Sequence, residues 1–297
     1  MDTIRAEVLA VIVALVDGEP CVLVLDGPLR LPAGPLLPGH HSLQAATRAW
    51  VEAQTGRTLG YLEQLYTFID VDRDSEAARR LSISYLGLTT DDDLPATRLG
   101  RWRRWYELFP WEDRRHPGPS PVAALLDWTN ADPAHAEGRR SRVRVTFGLD
   151  GQPWQPDLAL QRYELLYEAG LLPESPVAHR RPGTALVAGE GMLGDHRRVL
   201  ATGISRLRAK IQYRPVVFEL LPGEFTLREL QARVEALAGF GVHTQNFRRL
   251  VDSQGLVEET DGYADTGGRP ARLYRFHRDV LQERSAAGTK LPVVRGR

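Results

Sequence analysis

Cysteine is almost missing from this chain: Cys21 stands alone among 297 residues. That excludes an internal disulfide and fits a reducing compartment. No His or Asp partner lies near Cys21 for nucleophilic catalysis, and no Ser/His/Asp set presents itself. Cys21 therefore reads as a small core hydrophobe on a strand. His40 and His41 are adjacent, but further Cys or His at zinc-ligand spacing is lacking nearby, so no metal site is expected. Long apolar runs are lacking as well. The longest, Val8–Val16, is too short to span a bilayer. Glu7 at its start, without a basic flank, gives no signal-peptide pattern. Together these absences place the protein in the cytoplasm. Repeats and low-complexity tracts are absent too.

An excess of either charge is also missing, with 38 Lys/Arg against 38 Asp/Glu. The balance is uneven along the chain, however. From His196 onward there are 18 Lys/Arg and 11 Asp/Glu, a net +7, so the preceding residues carry −7. A basic module joined to an acidic one suits a DNA reader joined to a sensor. The length allows about two domains, each with its own core.

The most informative stretch is Pro222–Phe276. Thr226 and Glu229 have the spacing of a capping box. Leu227, Leu230, Val234 and Leu237 follow at helical spacing. Gly239 and Gly241 break that helix, and a second one is expected from about His243 to Ser253, capped by Gly255. On it Phe247, Leu250 and Val251 share one face, while Gln245, Arg248 and Arg249 point the other way. Leu256–Glu259, a polar loop Thr260–Pro270 and Ala271–Phe276 read as a hairpin with Arg269 at its tip. This is the order of a winged helix-turn-helix, which lays its second helix in the major groove and its wing on the backbone or minor groove. The expected DNA contacts are Thr244, Gln245, Asn246, Arg248, Arg249, Gly268, Arg269 and Arg272. Taken alone, two outward arginines are more often a solvated helix face; element order, spacing and the arginine-bearing hairpin together favour DNA.

Upstream, the pattern is α+β. Glu7–Leu25 reads as a hairpin around Asp17–Pro20, Leu29–Gly39 as a Pro/Gly loop, and Ser42–Gly56 as a capped helix. Tyr61–Asp70 and Leu81–Thr89 read as strands flanking the charged stretch Val71–Arg80. Trp102, Trp105, Tyr106, Phe109 and Trp111 crowd among arginines; they read as an aromatic lid on a core or as a purine-stacking surface. Arg142–Phe147 reads as a strand, Asp157–Ala169 as an amphipathic helix, Pro173–Gly194 as loop, and Asp195–Ile211 as a helix.

Leu31–Gly56 resembles the signature loop-helix-loop of Nudix domains, whose glutamates hold Mg²⁺ against a pyrophosphate. Counted back from Gly56, the paired glutamates become Ala53 and Gln54, the Arg-Glu pair becomes Ala49-Trp50, and the upstream glutamate becomes His41. Sliding the match to keep Arg48 rescues only Glu52. The shape is retained and the metal chemistry is not.

The pairing of this region with a winged helix resembles the Nudix-related transcriptional regulators of NAD metabolism, in particular their longer, NadQ-like proteobacterial branch. Arg206–Tyr213, Phe225–Gln231, Asn246–Arg249 and Gly268–Phe276 carry the match, with Trp105–Asp113 and Leu160–Gly170 in the middle. The resemblance implies a Nudix-like α/β/α sandwich over residues 1–190, with an insertion at about 100–150 and the helix at 157–169. It further implies a winged helix over 195–284, with 285–297 as a disordered tail. The implied protein is a homodimeric repressor of NAD biosynthesis genes that binds palindromic operator DNA and has no catalytic residues. NAD, ATP or ADP-ribose would act as effector, with Arg30, Arg48 and Glu52 as candidate contacts and no cofactor required. Two rival readings are an active Nudix pyrophosphohydrolase using Glu52 and a winged helix that serves protein contacts.

Overall fold

Strand β1 (Thr3–Val16) organises the N-terminal half. Alternate side chains along it enter opposite cores. Leu9, Val11, Val13 and Leu15 face one cluster, while Val8, Ala10 and Ile12 face the other. A strand buried on both faces must be apolar throughout, which is why Val8–Val16 reads as an unbroken run. The computed structural model describes residues 3–71, 78–90, 100–180, 186–212, 216–265, 267–268 and 270–277.

After β1 come β2 (Glu19–Leu25), β3 (Ala33–Pro35), α1 (Leu43–Thr55), β4 (Tyr61–Val71), β5 (Ala78–Leu88) and β6 (Gly100–Arg104). The sheet order is β4-β5-β1-β2-β6. Among the described residues only β1 and β5 run parallel, and β3 pairs with β1 alongside β2. The loop expected at Leu29–Gly39 thus contains a short strand. Helix α1 covers one face through Ala46 and Val51. Ser42 caps it by accepting from the Ala45 N–H, and Gly56 closes it at φ 67°.

The middle of the chain departs from expectation. Helices α2 (Trp105–Leu108), α3 (Val122–Asn130), α4 (Ala136–Phe147) and α5 (Ala159–Glu168) follow, then the short α6 (Pro176–Arg180) inside the expected loop 173–194. The strand expected at Arg142–Phe147 is the last part of α4. Its local alternation of Arg and Val suggested period two, but Val143 and Phe147 are buried while Val145 is 40% exposed. Only a helix puts positions 143 and 147 inside and 145 outside.

Helix α7 (His196–Ile211) covers the second face of the sheet and packs on α5. Next are α8 (Leu227–Ala238), α9 (Thr244–Gln254), β7 (Val257–Ala264) and β8 (Ala271–Phe276). One cluster of buried side chains runs from β1 through α5 and α7 to α8 and α9. The core therefore continues across the division expected between residues 190 and 195. The expected tail at 285–297 lies outside the described residues.

Candidate nucleic-acid interface

Helix α8 begins with the expected capping box. Thr226 accepts from the Glu229 N–H at 3.1 Å, and the Glu229 carboxylate accepts from the Thr226 N–H at 2.7 Å. Two orphan donors are thereby satisfied at once. Gly239 ends the helix at φ 81°. Its lack of a side chain also lets the Glu112 carbonyl, the Arg208 guanidinium and the Tyr106 hydroxyl approach closely. Glycine is required here on both counts.

The turn between α8 and α9 is fixed from α8. Gln231 donates to the Val242 carbonyl at 3.0 Å and to the Thr244 hydroxyl at 3.2 Å. Glu235 accepts from the Val242 N–H at 2.8 Å. These two side chains aim α9 and are not among the residues singled out from the sequence. Their spacing of four was the available signal.

On α9, Phe247 and Val251 are buried and Leu250 is half-buried. Thr244, Gln245, Asn246, Arg248 and Arg249 are all exposed on the opposite side. Among the described residues, neither Arg248 nor Arg249 has an ion-pair or hydrogen-bond partner for its guanidinium. The hairpin β7–β8 extends further than expected, since β7 reaches Ala264 and takes in half of the polar loop. Phe225 adds a third strand position by exchanging two backbone bonds with Tyr274. Gly268 is exposed near the tip; Arg269 lies outside the described residues. Arg272 does not share the freedom of the α9 arginines. It pairs with Glu259 at 3.3 Å, donates to the Tyr263 hydroxyl at 2.5 Å and stacks over that ring.

Residues 217–276 match the protein family described as the NrtR DNA-binding winged helix domain. The C-terminal unit is similar to the NrtR winged helix. The ADPR-responsive transcriptional repressor NtrR of Acinetobacter baylyi is 42% identical over 82 residues, 28% of this chain and 33% of that protein. The matched region is thus about a third of the length of this curated relative. Among solved structures, Shewanella oneidensis NrtR complexed with a 27mer DNA superposes with a TM-score of 0.55 at 18% identity, covering 93% of this chain and 95% of that one. A MutT/nudix family protein from Enterococcus faecalis gives 0.55 at 16% identity, covering 93% and 87%. The fold is therefore a Nudix-like domain followed by a winged helix.

The Nudix-like helix is built for a different purpose from metal binding. Gln54, at a position of the paired glutamates, donates to the Ala33 carbonyl at 2.8 Å and accepts from the Ala33 N–H at 3.1 Å. Trp50 donates to the Pro35 carbonyl at 2.9 Å and packs on Gly34. Both side chains clamp β3 to α1. A hard cation needs carboxylate oxygens, and an indole, an amide and two alanines do not supply them. The described residues at the box do not fit Mg²⁺. His40 accepts from the Leu37 N–H at 3.1 Å, and His41 is exposed.

Of the expected effector contacts, Arg48 is committed to the backbone carbonyls of Leu59 and Gly60. Glu52 is exposed. Arg30 lies near His196 at the start of α7. Trp105, Phe109 and Trp111 are core side chains, which makes the aromatic segment a lid on a core.

Between the sheet domain and the winged helix lies a buried charge cluster. Glu112 pairs with Arg162 at 2.6 Å and with Arg208, all three being essentially inaccessible. Burial alone would raise the Glu112 carboxyl, but the two guanidinium groups outweigh it and hold it below the usual range. Arg208 also donates to the Leu237 carbonyl at 2.9 Å, and Tyr106 to the Ala236 carbonyl at 2.6 Å. The last turn of α8 would otherwise leave these carbonyls unsatisfied.

Proposed function

We propose that this protein is a cytoplasmic, homodimeric transcriptional repressor of NAD biosynthesis genes. The winged helix over 195–284 binds operator DNA, and the Nudix-like domain over 1–190 senses a nucleotide without cleaving it. The observation that carries this reading is the pair Arg248 and Arg249, without partners among the described residues, on the exposed face of α9 in a unit similar to the NrtR winged helix. Of NAD, ATP and ADP-ribose, the name of the Acinetobacter relative favours ADP-ribose as the effector. Thr244, Gln245 and Asn246 join the two arginines as base or phosphate contacts, and Gly268 and Arg269 supply the wing. Arg272 serves mainly to brace the hairpin. A two-fold partner is supported by exposed Tyr66 and Ile69 on the edge strand β4, an apolar edge that a second copy would cover.

The deciding experiment is a mobility-shift titration of promoter DNA from NAD biosynthesis genes, with ADP-ribose, NAD and ATP as separate additions. Sequence-specific binding that one nucleotide changes is the expected outcome. Equal affinity for promoter and random DNA would refute the repressor reading. The enzyme alternative makes the opposite prediction for Mg²⁺ and ADP-ribose. Turnover on the order of 1 s⁻¹ that disappears in Glu52→Gln would establish it. The clamped box predicts none above background.

A further inference from the structure

A cleft of about 440 Å³ opens between the segment Trp111–Val122 and the turn that follows α4. Its walls include Trp111, Phe147 and Trp154, with Arg114 and His116 alongside. The volume accommodates a single ring with a charged substituent. Charge in the cleft is unbalanced. Arg115 is neutralised by Asp113 and Glu19, at 2.9 and 2.7 Å. Arg114 is exposed and lies 4.6 Å over the Trp154 ring, and no carboxylate pairs with it among the described residues. An exposed guanidinium resting over an indole presents its donors to an anion, while the largely buried Trp111 and Phe147 give the cleft an apolar floor.

The same segment touches the helix-turn-helix. The Arg114 N–H donates to the Gly239 carbonyl at 2.6 Å, at the turn joining α8 to α9. Trp154 is stacked on its other side by Arg162, at 3.7 Å, and Arg162 belongs to the buried cluster whose third member, Arg208, holds the Leu237 carbonyl. Arg114 and Trp154 thus lead, by backbone and by side chain, to the last turn of α8.

We propose that this cleft binds a small carboxylate or phosphate carried on an apolar body, and that its occupancy is transmitted through Arg114 and Trp154 to the Gly239 turn. The site lies apart from the α1 box.

The test is calorimetry on the full chain with two probes, benzoate for the carboxylate and phenyl phosphate for the phosphate. Hydrogen exchange of residues 236–243 is followed in the same samples. Binding of either probe is expected at up to millimolar concentration, and which one binds identifies the anionic group. Arg114→Glu should weaken it by roughly tenfold or more, the loss typical of a charge-assisted hydrogen bond. Arg114→Lys should retain part of the affinity. Neither substitution should shift thermal unfolding, because the side chain is exposed and the contact to Gly239 is made by the backbone. Exchange at 236–243 should slow on binding in the parent. The proposal is overturned if neither probe binds, or if Arg114→Glu binds as the parent does. Binding that leaves exchange at the turn unchanged overturns the transmission to the helix-turn-helix. None of these readouts uses DNA, so their failure leaves the repressor reading intact.

Discussion

A guanidinium already engaged in an ion pair gives up that pair to contact DNA, whereas an unpaired one does not. This separates Arg248 and Arg249 from Arg272, although all three are arginines near the same surface. Arg248→Ala should lower operator affinity about tenfold or more and flatten discrimination between operator variants, the loss expected for a base-reading arginine. Arg272→Ala should instead act mainly on hairpin stability. Fluorescence anisotropy on specific and scrambled duplexes checks both, and equal binding by Arg248→Ala and the parent would remove the helix from the interface. His196 illustrates a different constraint. Its burial pushes the imidazole down to about 4, and its Nδ1 accepts from the Leu31 N–H at 3.0 Å. The unfolded imidazole takes up a proton below about 6.5. Between those values the unfolded state binds more protons, so stability falls as pH is lowered from about 6.5 towards 4, by at most about 3 kcal/mol from this group. Urea midpoints at pH 7 and pH 5 should converge in His196→Asn relative to the parent.

At the scale of elements, the joint between α5, α7 and α8 rests on one carboxylate. Glu112 neutralises two buried arginines, and Arg208 extends the cluster to the end of α8. Glu112→Ala would leave both cations unpaired in the core. It should destabilise the protein by about 3–5 kcal/mol, the usual cost of breaking a buried pair from one side. Chemical denaturation measures this, and a change below about 1 kcal/mol would show that water reaches the cluster. The loss should be greater than that from Arg198→Ala, whose pair with Glu164 is partly exposed. Helix α1 shows the same reassignment of polar side chains to structure. Gln54 and Trp50 tie it to β3, so hydrogen bonds from these two side chains hold the loop-helix-loop together.

At the scale of the molecule, the two halves share a core. The face of β1 that carries Leu9, Val11, Val13 and Leu15 belongs to the same buried cluster as α7 and α8. A fragment ending at residue 190 would uncover the part of that face that lies under α7, at a cost of about 1.5–3 kcal/mol for each large apolar side chain exposed. Such a fragment should show no cooperative melting transition by circular dichroism, while the full chain should unfold in a single transition. A fragment that melts like the parent would show that the sheet is covered by other means. The shared core also gives a physical route between the halves, because displacing Glu112 or Arg114 moves groups that touch Gly239 directly.

Local signals in the sequence determined the ends of this protein. The capping box of Thr226 and Glu229, the glycines that stop α1, α8 and α9, and the outward Gln245, Arg248 and Arg249 all follow from spacing and chirality. Those act within a few residues and need no partner. The loss of box carboxylates was equally plain, since residue type alone decides whether a hard cation can be held. Only the tertiary structure decided the middle. Alternating Arg and Val in 142–147 satisfied a strand pattern until the burial of Val143 and Phe147 selected a helix. Whether Trp105, Phe109 and Trp111 stacked a ligand or filled a core depended on α5 and α7, which lie much further along the chain. The pairing of Glu112 with Arg162 and Arg208, and of Arg272 with Glu259, likewise depends on contacts between distant or folded-back segments. No sequence period carries that information, because a charge's partner is set by which surfaces meet.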